Sequence, residues 1–171
     1  VEATVTRITD TNSQAGIMGR VFYDGKGSPS YYSFVLKGDR MMLVKTYYDA
    51  NDKIIYDYVL LQTQNAGPTV PADDPLRNRL GRGFPLRLKM EFVDNVIRCY
   101  YNDRLYIEYV DNGDFGAPIM QGGVGMCLQG RGWYAMYDDF LVTPSGDTTS
   151  FLDDFTDDRY FKGVTYQLKT T

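Results

Sequence analysis

From Val1 to Thr6 the apolar residues Val1, Ala3 and Val5 alternate with Glu2, Thr4 and Thr6. That period of two is the mark of a half-buried strand. The pattern returns along the chain and predicts further strands over Ala15–Tyr23, Tyr31–Leu36, Met41–Tyr48 and Ile54–Gln62. The second and third of these are joined by Lys37-Gly38-Asp39-Arg40, which reads as a hairpin turn. Pro85–Val93 places Leu86, Leu88, Met90 and Phe92 on one face and Arg87, Lys89 and Glu91 on the other. Asp94-Asn95 and Asn102-Asp103 then turn the chain into Val96–Tyr101 and Arg104–Val110, a meander. The stretch Gly122–Val142 opens on two glycines, where a chain can turn or be approached closely. Val124, Met126 and Leu128 make a strand there, Gly130-Arg131-Gly132 reverses it, and Trp133–Val142 forms a strand that carries Asp138, Asp139 and Phe140.

Between these elements lie two departures from the pattern. Residues 65–83 form one long irregular segment with three prolines, of the kind that is either a functional loop or a plain insertion. Residues 143–150 read as a polar linker, separating a main sandwich over 1–142 from a strand-forming tail over 151–171. In the tail Val164, Tyr166 and Leu168 alternate again. Val1 already stands inside a strand pattern with no leader before it, so the natural start is expected to have been removed.

Composition sharpens the all-β expectation. The chain has 171 residues, enough for one domain with a sizeable core, and 15% of them are aromatic. The 22 acidic residues are almost all Asp, which suits turns, and Glu occurs only at positions 2, 91 and 108. The net charge of -4 argues against nucleic acid as a partner, and no apolar run approaches membrane-spanning length. Histidine is absent, which removes Ser-His and Cys-His nucleophile pairs and most zinc sites. Cys99 is in phase with Ile97 and Tyr101, whereas Cys127 is out of phase with Val124, Met126 and Leu128. The two are therefore expected to be free thiols on different sides of their sheets.

The lettering of Gly122–Val142 resembles the closing strands of concanavalin A-like jelly-roll domains, which include laminin-G-like modules and carbohydrate-binding sandwiches. Arg20, Tyr31, Tyr32 and Lys45 fall on positions matching that family's middle strands, so the resemblance spans roughly Val1 to Val142. It implies a β-sandwich of two antiparallel sheets, with the strands bearing Arg20 and Lys45 crossing the concave sheet. The segment Phe151-Leu152-Asp153-Asp154-Phe155 resembles the way such domains open, yet stands at the other end of the chain. The tail is thus expected to fill the place of missing opening strands through Phe151, Leu152, Phe155, Val164, Tyr166 and Leu168. It would do so in its own sandwich or, as the expectation leans, in a neighbour's, which would make a filament.

Three chemistries compete for the functional residues. Glycoside hydrolysis needs two carboxylates facing each other across a cleft. No Glu here has an acid at i+2 or i+4, and adjacent Asp residues on a strand point to opposite faces, so hydrolase activity ranks last. Calcium takes oxygen ligands, for which Asp111, Asp114, Asp138 and Asp139 are the candidates against a plain turn-capping role. Sugar binding needs aromatic faces and planar hydrogen-bonding groups, and Trp133 with Arg131, Arg20 with Lys45, and Tyr31 with Tyr47 are its candidates. The leading expectation is a non-catalytic, extracellular carbohydrate-binding or adhesion module whose partner is a glycan or polysaccharide. A self-assembling structural subunit, partnered by copies of itself, is the alternative.

Overall fold

The computed structural model describes residues 1–7, 14–23, 29–37, 40–48, 54–59, 85–129, 135–144 and 151–153. These form β1 (Glu2–Arg7), β2 (Gln14–Phe22), β3 (Ser30–Lys37), β4 (Arg40–Tyr48), β5 (Ile54–Val59), β6 (Pro85–Val93), β7 (Val96–Tyr101), β8 (Arg104–Val110), β9 (Gly123–Gln129), β10 (Ala135–Val142) and β11 (Phe151–Asp153). They assemble into a six-stranded sheet, β11-β10-β1-β6-β7-β8, and a five-stranded sheet, β5-β4-β3-β2-β9. Every strand pairing in both is antiparallel. The chain is an all-β sandwich of two antiparallel sheets, as the alternating pattern and the aromatic, Asp-rich composition led one to expect.

The inner faces follow from the period of two. Ala3, Val5, Leu86, Leu88, Met90, Ile97, Cys99 and Ile107 of the first sheet meet Ala15, Ile17, Phe34, Leu36, Met41 and Leu43 of the second in one buried core. The outer face of the six-stranded sheet is charged and wet. Arg87 bridges Glu2 at 2.7 Å, Lys89 bridges Glu91 at 2.6 Å, and Arg98 bridges Glu108 at 2.6 Å. Exposed pairs of this kind contribute little, so that face is solvated scaffold rather than a source of stability. The outer face of the five-stranded sheet is apolar instead, with Val35, Met42 and Val44 buried against partly buried Cys127.

The turns carry strain where the sequence has Asp and Asn. Asn102 and Asp103 both have positive φ, 46° and 64°, so the β7–β8 hairpin turns without glycine. Two further positive-φ residues lie inside strands and mark bulges. In β2, the four residues from Gly19 to Phe22 oppose three, Tyr32 to Ser30, and Arg20 has φ 51°. In β10, the four residues from Asp138 to Leu141 oppose three, Thr4 to Glu2, and Asp139 has φ 50°. The second bulge leaves both Asp138 and Asp139 exposed and returns Phe140 to the core.

Cys99 lies in the core of one sheet, and Cys127 on the outer face of the other. Both are free. Burial pushes the Cys127 thiol up to about 12, so it stays protonated at neutral pH.

The tail begins within its own molecule. Phe151, Leu152 and Asp153 pair with Val142, Leu141 and Phe140 of β10, making β11 the edge of the six-stranded sheet. Within the single chain these three residues extend the six-stranded sheet by one short strand. Phe155, Val164, Tyr166 and Leu168 lie outside the described residues, as does the irregular segment 65–83.

Candidate functional site

At one end of the sandwich the chain leaves β8 and crosses to β9 through residues 111–122. This loop has little regular structure, so its polar backbone needs partners. The partners rise from the inner face of the five-stranded sheet. Register places Gly19 opposite Tyr32 and Tyr32 opposite Lys45, so the three form a row across β2, β3 and β4. Lys45 is 0% exposed, and its ammonium donates to Asp111 Oδ2 at 2.7 Å, to Gly116 O at 2.7 Å and to Ala117 O at 3.0 Å. An ammonium has three N–H donors, and all three are committed here. Tyr32 donates its hydroxyl to Asp111 Oδ2 at 2.5 Å and accepts from the Ile119 N–H at 3.1 Å. The Gly113 N–H donates to Asp111 Oδ1 at 2.9 Å. Asn95, in the β6–β7 turn, accepts from the Asp111 N–H and donates to the Asp111 carbonyl. The loop is therefore tied to the five-stranded sheet through a buried ion pair and to the six-stranded sheet through the Asn95 turn.

Burial alone would raise the Asp111 carboxyl. The bonds from Lys45, Tyr32 and Gly113 outweigh it and hold the group below its ordinary value of 3.8. For the Tyr32 phenol, burial comes first and the Asp111 bond second, and together they push it far up, so it remains a donor. A carboxyl depressed in the folded state contributes stability that is complete above the unfolded value and lost as pH falls through the folded one. The protein is thus expected to lose stability as pH drops below about 4, and Asp111→Asn should flatten that part of a denaturation-versus-pH series. An unchanged slope in the variant would place the acid sensitivity elsewhere.

Above this anchor sits Arg20. The bulge turns its side chain, which would otherwise face outward next to inward Gly19, over the end of the core. Its Nη1 donates to the Ile119 carbonyl at 2.9 Å, and its guanidinium stacks 4.8 Å from the centre of the Phe92 ring. Among the described residues no carboxylate lies within ion-pair distance of it. Phe22 pairs with Ser30, which shares the inner face with Tyr32, so it continues the inner register beyond the core. Phe22 is 41% exposed, Tyr23 60% and Met120 53%. A half-buried planar cation, held by a ring beneath it and by the carbonyl of Ile119, thus lies within three residues of exposed Phe22 and Tyr23 along the chain and bonds to the loop next to exposed Met120.

Two glycines make this packing possible. A Cβ on Gly19 would lie 2.3 Å from Phe92 Cε2, so the ring fills the space a side chain would occupy. Gly122 has φ 148°, and a Cβ there would lie 2.6 Å from the Val21 carbonyl oxygen, the close approach that its sequence predicts. Gly19→Ala is expected to displace Phe92 and cost about 1–3 kcal/mol, read as a shift in urea midpoint at constant slope. Full native stability in that variant would show the ring is not held there.

The residues singled out from sequence divide accordingly. Arg20, Lys45, Tyr47 and Asp111 come together at this end, with the Tyr47 ring against Gly116. Lys45 is a buried anchor, not a surface ligand for sugar, because each of its N–H bonds is already taken. Asp111 is likewise neutralised by Lys45 and is not open to a cation. Tyr31 pairs with Thr46, so it faces away from Tyr47 on the other side of the sheet. Asp114 is exposed in the loop, and Asp138 and Asp139 lie far along β10. Among the described residues no three His, Cys, Asp or Glu side chains converge as metal ligands would. Trp133 and Arg131 lie outside the described residues. Tyr32, Phe92 and the Asn95 brace were missed as site residues. Lys45 falling in phase with Met41 and Leu43 was the signal for a buried cation needing a distant acid.

No family model matches the chain, and no curated protein matches it by sequence. A solved structure similar to it is a carbohydrate-binding module, CBM66, from Bacillus subtilis, at 18% identity and a TM-score of 0.45. That likeness covers 80% of this chain and 68% of the other. What the chain's own geometry defines is the class, an antiparallel two-sheet β-sandwich with a braced loop at one end.

Proposed function

We propose that the protein is a non-catalytic glycan-binding module of the concanavalin A-like jelly-roll kind, working outside the cell, and that it takes its ligand at the Arg20 end of the sandwich. The observation that carries this is the bulged Arg20 on Phe92, beside exposed Phe22, Tyr23 and Met120. A sugar presents C–H faces and hydroxyl pairs. It is recognised by apolar or aromatic surface together with a few oriented polar groups, and the arrangement offers both. A positive-φ arginine in a strand costs free energy, and such strain tends to gather at binding sites. The buried Lys45–Asp111 pair serves by fixing the loop that Arg20 touches at Ile119.

Turnover is not part of this reading. Asp111, the buried acid beside Arg20, is held in its ion pair with Lys45. Screening a glycan library and then assaying the best binder for new reducing ends tests both halves. Binding without cleavage is expected, and cleavage lost in Asp-to-Asn variants would overturn the non-catalytic reading.

A further inference from the structure

The edges of the two sheets differ in how they are guarded. An open edge presents unpaired N–H and C=O groups, and proteins blunt it with charge, proline, shortness or a bulge. β8 carries Arg104 and Glu108, β5 carries Asp57, and β11 is three residues long with Asp153. β9, the remaining edge, reads Gly-Val-Gly-Met-Cys-Leu-Gln, with no charge and no proline. Its pairing to β2 runs in unbroken register from Gln14↔Gln129 to Gly19↔Val124. On its free side alternate residues turn their N–H and C=O outward, and among the described residues no strand takes them.

We infer that β9 is a dimerisation edge, and that its occupant is β9 of a second copy, paired antiparallel about a two-fold axis through Met126. Val124, Met126 and Leu128 lie on the inner face, since they register with Gly19, Ile17 and Ala15. A two-fold axis normal to the sheet keeps inner faces on one side, so each residue must oppose one of the same parity. Centred on Met126, this sets Val124 against Leu128 of the second copy, Gly125 against Cys127 and Gly123 against Gln129. Apolar meets apolar, small meets small, and no like charges collide. Val124 and Leu128 are each 37% exposed at the rim of an otherwise closed core, and the pairing covers both. The interface is isologous and closes as a dimer with one continuous ten-stranded sheet, doubling the 5-stranded sheet of each copy. It does not involve the tail, whose first strand sits at the edge of the other sheet.

Sedimentation equilibrium of the full chain tests this with two single variants and one double variant. The unmodified protein is expected at twice its 19.5 kDa monomer mass. Val124→Lys, and separately Leu128→Glu, should halve that mass with the circular dichroism spectrum unchanged. The double variant V124K/L128E sets each Lys against a Glu of the second copy and should restore the dimer. A monomeric unmodified chain at its highest soluble concentration would overturn the proposal. So would single variants that remain dimeric, or a double variant that stays monomeric.

Discussion

Lys45→Met is expected to destabilise the protein by about 3–5 kcal/mol, because it leaves the Asp111 carboxylate buried without its counter-ion. For a chain of this length that corresponds to a fall in melting temperature of roughly 6–20 °C. The loss has two parts. One is the uncompensated charge at a residue 1% exposed, and the other is the pair of carbonyls, Gly116 and Ala117, that lose their donor. The double variant K45M/D111L removes the stranded charge and should recover only the first part. The loop 111–122 would remain loosened, visible as faster amide exchange at Ile119 while the β6–β7 hairpin stays protected. A single-variant loss below about 1 kcal/mol would mean that the pair is screened as surface pairs are, against its observed burial.

Arg20→Gly should separate binding from stability. Truncating a central arginine in a binding site typically removes 2 kcal/mol or more, about a thirtyfold loss of affinity. The same change costs one hydrogen bond to Ile119, worth about 0.5–1.5 kcal/mol, together with the stacking on Phe92, worth about 0.5–1 kcal/mol, and relieves a positive-φ residue of roughly 1–3 kcal/mol of backbone strain. The two nearly cancel, so the variant is expected to unfold within about 1 kcal/mol of the unmodified protein. Titration calorimetry and urea denaturation on one preparation read both numbers. Undiminished affinity would move the site away from the bulge. A large loss of stability would make Arg20 a structural brace.

Much of the sandwich was legible because its strands are simple. Pro85–Val93 puts four apolar residues in phase, and such a face has one place to go. The meander turns at 94–95 and 102–103 were equally plain, since Asn and Asp accept the left-handed backbone both turns require. The site was half legible. Arg20 and Lys45 stood out as cations on strands, but strand phase alone does not foretell a bulge. Without the bulge at residue 20, Arg20 would point to the outer face of its sheet and would not reach the Ile119 carbonyl. Asp111 was noticed as a turn acid, yet its partner is 66 residues away and no local pattern joins them. Tyr31 and Tyr47 each fall in the polar phase of their own strand, which suggests a shared face. The hairpin register, Lys37↔Arg40 through Tyr31↔Thr46, puts them on opposite faces.

Glycan is expected to bind at the Arg20 end and to leave unchanged. An NMR titration of the isotope-labelled 171-residue chain with a panel of oligosaccharides reads this. The expected result is a set of perturbed amides confined to Arg20, Phe22, Asp94, Asn95 and residues 112–121, with the saccharide's own spectrum intact at the end. Perturbations centred instead on the single Trp133 indole or on the charged outer face around Arg87 and Tyr100, or none with any saccharide, would contradict it.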